Sequence, residues 1–228
     1  MSENGISPDA RRVVRVELHV FAFPMRNVGR SGTELTDLPG EDTNRTRIAV
    51  EIETADGARG CYAGGNETMI GQAKIAAKLL LGRDALARES FYDDIKRKLR
   101  KNDRMGVGPI DIALWDLAGH RAGMAVAAML GGFRTRVKAY ASTWFGGEEG
   151  GLASPAAFAD FAEACLAMGY RGFKMHGWVD GNPDREAETL RLLGRRVGGR
   201  MALMHDAACH LRTFADALAV GRACDEAG

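Results

Sequence analysis

The feature that most restricts the fold of this chain is a pattern that occurs three times after residue 134. It consists of a short apolar strand, a polar or glycine-rich loop and a capped helix. The predicted strands are 137–142, 172–176 and 202–206. The predicted caps are Ser154 before Pro155, Asn182 before Pro183, and Thr213 in a capping box with Asp216. Strands that alternate with capped helices are typical of parallel β/α units, so this part of the sequence predicts a parallel sheet with helices.

The first part of the chain shows a different pattern, in which apolar and polar residues alternate as they do in strands with one buried face. Predicted strands cover 11–23, 46–54 and 58–63, with a hairpin turn at Asp56 and Gly57. Helical patterns follow at 69–81, at 86–100 and from Gly108, where the apolar face is Ile110, Ala113, Leu114 and Leu117. This order predicts an antiparallel sheet covered by helices.

The segment 24–44, between the first two predicted strands, contains few apolar residues and several glycines and prolines. It is too long for a routine hairpin loop. We therefore expect either a disordered surface loop or a functional lid.

The overall charge excludes some classes of partner. Lys and Arg number 31 and Asp and Glu number 30, so no global field favours nucleic acid or an anionic membrane surface. The N-terminus has no apolar core of signal-peptide length, and we expect a cytoplasmic protein without membrane spans. The four cysteines are far apart, which predicts mostly buried thiols rather than disulfides or a zinc site.

Several motifs make the chain resemble the mandelate racemase/muconate lactonizing enzyme group of the enolase superfamily. They are the helix 110–119 (IDIALWDLAG), Leu130-Gly131-Gly132 after it, and the strand sequences 173–176 (FKMH) and 203–206 (LMHD). The resemblance implies an α+β capping domain at 1–133. It further implies the first three β/α units of a TIM-type barrel at 134–228, a barrel that is incomplete in this chain. In that group two capping-domain loops close on the substrate, and 24–44 and 62–68 match them. The resemblance also implies a homo-oligomer for a full-length protein.

Lys174 and His176 are the candidate catalytic residues. Alternate side chains of a strand point to the same side, and the C-terminal strand ends of a β/α barrel carry its catalytic groups. Two basic groups there suit removal of a proton α to a carboxylate, because a cationic Lys174 lowers the pKa of its neighbour and holds the substrate anion. The pair matches the family's Lys-x-Lys motif with His176 in place of the second lysine. The alternative for His176 is a hydrogen-bonded core histidine.

Asp206 is the candidate metal ligand. It ends the third strand in phase with Met204, and by resemblance it is the first ligand of Mg²⁺, an ion that prefers several oxygen ligands. The family supplies the other ligands from the fourth and fifth barrel strands, which this sequence does not contain. Ala208 departs from the asparagine common in the family. The alternative for Asp206 is a turn acceptor for the loop that follows it.

Other side chains near these strands are weaker candidates. His205 is out of phase with Asp206 and is expected to pack toward a helix, whereas His210 could reach the site or lie in solvent. Trp144 and Trp178 follow strands, where they could line a pocket or pack in the core. The glycine run 145–151 contains two acids, which oppose a phosphate-binding role.

By resemblance, the favoured function is Mg²⁺-dependent removal of a proton α to a carboxylate through an enediolate. Acid-sugar dehydration is the first choice, and racemisation or epimerisation is the second. The expected substrate is a small-molecule carboxylate. An alternative is a truncated, catalytically inactive fragment that acts as an interaction module, because the later catalytic strands are missing; whether the chain itself is an enzyme stays open. A doubly wound nucleotide-binding fold lacks support, since no G-x-G-x-x-G follows the first strand.

Overall fold

The computed structural model describes residues 7–26, 30–31, 37–38, 42–147 and 151–228. The chain divides into two compact units. The antiparallel unit comprises Met1–Pro24 and Asn44–Thr135, and the parallel unit comprises Met25–Thr43 and Arg136–Gly228.

Strands and helices are numbered here in chain order. The strands are β1 (Val13–Met25), β2 (Arg30–Ser31), β3 (Asp37–Leu38), β4 (Thr43–Thr54), β5 (Arg59–Gly64), β6 (Ala141–Ser142), β7 (Gly172–His176) and β8 (Ala202–Asp206). The helices are α1 (Ile70–Leu80), α2 (Arg88–Lys98), α3 (Val107–Ala122), α4 (Val126–Met129), α5 (Pro155–Ala167), α6 (Pro183–Val197) and α7 (Phe214–Ala227), with a 3₁₀ turn at Glu67–Met69 before α1.

The sheet of the antiparallel unit has the strand order β1-β4-β5, and β4 and β5 pair antiparallel from Ile48 opposite Gly64 to Glu53 opposite Arg59. Alternate residues of β4 are buried, beginning with Ile48 and ending with Thr54, which is the pattern of a strand with one face against a core. The predicted sheet is confirmed, and β1 and β4 both extend beyond their predicted ends into the segment 24–44.

The helix α3 packs directly on β5. A side chain at Gly60 would overlap the carbonyl of Ala113 and the Cβ of Leu117, so only glycine allows this close approach. Ile110, Ala113, Leu114 and Leu117 are fully or almost fully buried, which confirms the predicted apolar face. The helix ends at Gly123, whose φ of 61° is the left-handed conformation that favours glycine.

Part of the segment 24–44 is paired strand. β2 and β3 are antiparallel, with Arg30 opposite Leu38 and Ser31 opposite Asp37. These four residues are therefore not disordered, the functional lid stays a prediction, and most of the remaining segment lies outside the described residues.

The parallel unit contains the three predicted strands in the order β6-β7-β8, all parallel. β7 and β8 have the predicted bounds, whereas the strand predicted at 137–142 is reduced to Ala141–Ser142. Val137 is 79% exposed, so extending the strand to this residue would not bury its apolar side chain. All three predicted caps form, since Ser154, Asn182 and Thr213 accept hydrogen bonds from first-turn N–H groups and Asp216 completes the capping box.

The helices of the parallel unit cover the sheet on one side with a continuous apolar core. This core contains Phe158, Phe173, Met175, Trp178 and Leu193. Because Phe173 and Met175 are in this core, Lys174 and His176 project from the other side of β7.

Two further expectations concern cysteines and membranes. Cys165 is buried, but Cys61 and Cys209 are exposed, so the prediction of mostly buried thiols is wrong; all four cysteines are free. Within the described ranges, no helix is both long enough and apolar enough to cross a membrane.

Candidate active site

The adjacent ends of β7 and β8 bring Lys174, His176 and Asp206 together. The strands pair in register with His176 opposite Asp206 and Lys174 opposite Met204. The Lys174 Nζ lies 2.8 Å from the Asp206 Oδ2, and the His176 Nε2 lies 3.6 Å from the same oxygen. The three side chains are partly exposed, so the arrangement is open to a small molecule. We call these three residues the strand-end cluster.

Lys174 and Asp206 stabilise each other in their charged forms. The hydrogen bond from Lys174 holds the pKa of Asp206 below its usual value, and a second hydrogen bond from the Ala208 N–H acts in the same direction. The same carboxylate raises the pKa of Lys174. At neutral pH the cluster therefore presents a carboxylate with a cationic ammonium beside it.

The backbone of residue 143 fixes the ring of His176. The His176 Nδ1 lies 2.6 Å from the Thr143 carbonyl oxygen, and the Thr143 hydroxyl oxygen accepts a hydrogen bond of 3.0 Å from the His176 N–H. A carbonyl oxygen can only accept, so Nδ1 carries a proton. When the ring holds this one proton, the lone pair is on Nε2, the nitrogen on the side of Asp206, and this nitrogen can accept a proton.

A second histidine, His210, contacts the same phenylalanine ring as His176. Phe145 is buried and contacts the rings of both His176 and His210, at centroid distances of 5.2 and 4.9 Å. The His210 Nδ1 lies 3.1 Å from the Trp178 carbonyl oxygen, and His210 is only 7% exposed. His210 thus belongs to the packed wall beside His176 rather than to the solvent.

The loop after Asp206 holds this carboxylate through its other oxygen. The Asp206 Oδ1 accepts a hydrogen bond of 3.0 Å from the Ala208 N–H, which is the turn-acceptor role considered as an alternative. Ala208 and Cys209 have φ angles of 44° and 70°, a backbone region that costs energy for residues other than glycine. The turn and the contact with Lys174 coexist, because each uses a different carboxylate oxygen.

Glu186 forms hydrogen bonds with residues next to both strand ends, and nothing in the local sequence indicates this role. Its side chain, on the first turn of α6, is completely buried. Oε1 accepts a hydrogen bond of 2.5 Å from the Trp178 N–H, and Oε2 lies 2.9 Å from the His205 Nε2. The prediction that His205 faces a helix is confirmed. Glu186 thereby ties the backbone that follows His176 to the residue that precedes Asp206.

Thr143 is a second residue that the sequence does not single out. Its contacts with His176 span 33 positions and depend on the pairing of β6 with β7. Trp144 is 47% exposed and borders a cavity of about 340 Å³ together with Thr143 and Phe145, whereas Trp178 is buried in the core. Residues 148–150 of the glycine run lie outside the described residues.

Asp206 alone does not form a magnesium site. Carboxylate oxygens are suitable Mg²⁺ ligands, and Asp206 is exposed enough to offer one. However, the described part of the chain contains no group of three or more His, Cys, Asp or Glu side chains that could hold a metal ion. The residues present fit one ligand of such a site and not the whole set.

Comparisons with known proteins identify relatives of this chain. Residues 40–131 match the family model described as mandelate racemase/muconate lactonizing enzyme, N-terminal domain. The chain is 29% identical over 191 residues to the arabinonate dehydratase of Saccharolobus solfataricus, covering 79% of this chain and 50% of that protein. It is 31% identical over 212 residues to the 3,6-anhydro-alpha-L-galactonate cycloisomerase of Streptomyces coelicolor, covering 86% and 54%.

A solved structure extends the likeness to the fold. The D-glucarate dehydratase from Agrobacterium tumefaciens, complexed with magnesium, superposes with a TM-score of 0.84 at 30% identity. The match covers 96% of this chain and 59% of that one, and the chain spans about half the length of the curated relatives cited above. The chain belongs to the mandelate racemase/muconate lactonizing enzyme family of the enolase superfamily.

Proposed function

We propose that this chain carries the first part of the active site of a Mg²⁺-dependent acid-sugar dehydratase that begins by removing a proton α to a carboxylate. The observation that carries the proposal is the convergence of Lys174 and His176 on Asp206 at the ends of two parallel strands. The names of the relatives support the substrate class, because they include arabinonate dehydratase, D-gluconate dehydratase and D-glucarate dehydratase.

The same proposal includes the architecture. Residues 1–133 would form the capping domain, and residues 134–228 would form the first three β/α units of a TIM-type barrel. The parallel order β6-β7-β8 with a capped helix after each strand supports this assignment. Barrel enzymes carry their catalytic groups at C-terminal strand ends, which is where the strand-end cluster lies.

Lys174 would bind the carboxylate of the substrate. Its ammonium has three donors, of which the described residues use one, on Asp206, so two are available to an incoming anion. Its raised pKa keeps it cationic at neutral pH. A fixed positive charge beside the substrate carboxylate lowers the energy of the additional negative charge that develops there when the α-proton leaves.

His176 would act as the base. Its Nε2 lone pair accepts the α-proton, and the electron pair of the broken C–H bond delocalises into the substrate carboxylate as an enediolate. The hydrogen bond to the Thr143 carbonyl keeps the other ring nitrogen protonated and sets the direction of Nε2. The positive charge that His176 gains lies close to Asp206, which offsets it.

Asp206 would hold the Mg²⁺ ion as one ligand among several. When bound, Mg²⁺ supplies positive charge that stabilises the enediolate. Because the described residues contain no group of three or more candidate ligands, the proposal takes the further ligands from outside them.

The test is α-proton exchange in deuterated water, followed by NMR with a panel of acid sugars, in a protein that extends this chain to full length. We expect His176→Asn to reduce the exchange rate by about 10²- to 10⁴-fold. His120→Asn is the matched control, because His120 is an exposed histidine on α3 of the antiparallel unit. Exchange that is unchanged in His176→Asn contradicts the proposed base.

Cycloisomerisation is the second candidate reaction. It is favoured by the Streptomyces coelicolor relative, a cycloisomerase that aligns with 86% of this chain. Product analysis distinguishes the two reactions, because dehydration releases water and changes the mass of the acid, whereas cycloisomerisation leaves the mass unchanged.

A further inference from the structure

A cavity in the antiparallel unit combines three arginines with an apolar wall. It has a volume of about 430 Å³ and is lined by Arg11, Arg88 and Arg121 together with Leu86, Ala118 and Met129. We propose that this arginine cavity binds a small ligand that carries one carboxylate next to a short apolar segment. The lining includes no residue of the strand-end cluster, and the proposal does not depend on the proposed reaction.

Two of the arginines are fixed by carboxylates of the chain itself. Arg11 makes a two-pronged contact with Asp84, and the Arg121 Nη2 donates to the Asp56 Oδ1 at 2.6 Å and to the Thr54 hydroxyl at 2.9 Å. The Arg121 side chain is only 9% exposed. These pairs hold both guanidinium groups in place at the cavity before any ligand arrives, so little side-chain order has to be gained on binding.

Arg88 differs from the other two. Within the described ranges its guanidinium forms no hydrogen bond and no ion pair, and it stacks on the Trp115 ring at 3.9 Å. The buried Nε–H groups of Arg88 and Arg121 both lack a hydrogen-bond acceptor in that part of the chain. Both Nε–H groups are shielded from solvent, so a ligand would be held instead by the Nη groups of Arg88, which are not buried and whose planar guanidinium suits the two oxygens of a carboxylate. A nearby ligand would still change the surroundings of the Nε–H groups.

The N-terminus of α2 is a second group at this cavity that favours an anion, although Glu89 in its first turn opposes this effect. The 11-residue helix begins at Arg88, and its N-cap residue, Ala87, has no side-chain acceptor for the first-turn N–H groups. Uncapped N–H groups and the helix dipole favour an anion at this end. Leu86 and Arg88, on either side of the cap, both line the cavity.

The remaining lining selects the type of anion. Leu86, Ala118 and Met129 provide an apolar surface beside the guanidinium groups, which suits a carboxylate with a hydrocarbon part better than a bare inorganic ion. Asp111 does not line this cavity but interacts electrostatically with Arg88 from a neighbouring one. Removing its charge should therefore strengthen ligand binding.

The direct test is NMR of the arginine Nε–H groups of the 228-residue chain during titration with sodium hexanoate, with sodium chloride at equal ionic strength as the reference. We expect the Arg88 and Arg121 signals to shift and saturate with hexanoate, and to shift less with inorganic phosphate. Equal responses to hexanoate and chloride, or a response to phosphate alone, would overturn the proposal.

Three variants make the assignment specific. Arg88→Met should weaken hexanoate binding by about tenfold or more, because a hydrogen-bonded charge is lost. Asp111→Asn should strengthen it, and Arg97→Met, which removes an exposed arginine from the same helix, should leave it unchanged. Circular dichroism checks that each variant is folded. Binding that is equally weak in Arg88→Met and Arg97→Met would show a nonspecific charge effect and would also overturn the proposal.

Discussion

Two groups of charged residues lie on the strands of this protein, and they are built differently. In the antiparallel unit, Arg15 of β1 contacts the carboxylates of Glu17, Glu51 and Glu53, and Arg59 of β5 approaches two of the same carboxylates. We call these five residues the sheet cluster. In the strand-end cluster, two basic groups approach the single carboxylate of Asp206.

The difference lies in position and in charge balance. The sheet cluster is formed along paired strands and has more carboxylates than guanidinium groups, so its cations are already neutralised. The strand-end cluster lies where two parallel strands stop, and its ammonium retains donors that no described residue uses. Ion pairs on strands are therefore not in themselves signs of a site, whereas an incompletely neutralised group at parallel strand ends supports the proposal of one.

The largest expected effect separates the two clusters by activity. In a full-length protein, Lys174→Met should lower the rate of α-proton exchange by about a hundredfold or more, because it removes the positive charge beside the substrate carboxylate. Arg15→Met removes a cation with more ion-pair contacts, yet it should leave the exchange rate unchanged. The NMR exchange assay measures both. Similar losses in both variants would break the comparison.

The second prediction concerns Glu186, which forms hydrogen bonds with residues adjacent to the strand-end cluster. Glu186→Leu should lower the free energy of unfolding by about 3 kcal/mol, because the Trp178 N–H and the His205 ring lose their acceptors in the core. Urea denaturation measures the change. Glu163→Leu is the matched control, since Glu163 is a partly exposed glutamate of α5 paired with Arg196. A control loss as large as that of Glu186→Leu would contradict a special role for the buried carboxylate.

The third prediction uses acid titration to test an ion pair outside both clusters, the pair of Asp56 and Arg121. Arg121 and Thr54 lower the pKa of Asp56 from 3.8 to about 2. A lowered carboxyl pKa contributes stability that is present above pH 3.8 and is lost as the pH falls toward 2. With solvent screening, we expect a loss of about 1.5 kcal/mol from this group. Asp56→Asn should reduce the acid dependence of unfolding, and an unchanged pH profile in this variant would contradict the assignment.

The smallest effect is expected in the loop after Asp206. Ala208→Gly should raise the free energy of unfolding by about 1 kcal/mol, because it removes the cost of a left-handed backbone at a residue with a Cβ. Ala207→Gly is the control and should be neutral or destabilising, since residue 207 has no positive φ. Thermal unfolding of the two variants distinguishes them. Asparagine adopts a left-handed backbone more easily than alanine. An asparagine in place of Ala208 would therefore be less strained at this position.

Much of the local structure could be predicted because local rules decide it. β7 and β8 have their predicted bounds, and Ser154, Asn182 and Thr213 begin helices as their residue types require. The same alternation of side chains placed Lys174, His176 and Asp206 on one side of the sheet. These predictions needed only the period of a strand and the parallel arrangement.

The rest depends on contacts between residues that are distant in sequence. Glu186 stands in a charged stretch and resembles a solvated helix residue, but it is buried because the Trp178 N–H and His205 converge on it. Thr143 reaches His176 only through strand pairing. Within the described residues, only Ala141 and Ser142 of the strand predicted at 137–142 pair with β7. The extent of such pairing depends on the neighbouring strand, and the composition of the segment does not reveal it.

The contact between Gly177 and Glu186 also restricts how this protein can change in evolution. A methyl group at position 177 would overlap the Glu186 carboxylate, which is buried and held by two hydrogen bonds that a shift would break. Substitution of the glycine therefore becomes tolerable only after position 186 has become shorter. The two positions are epistatic, and a library that varies both should recover larger residues at 177 only together with a smaller residue at 186.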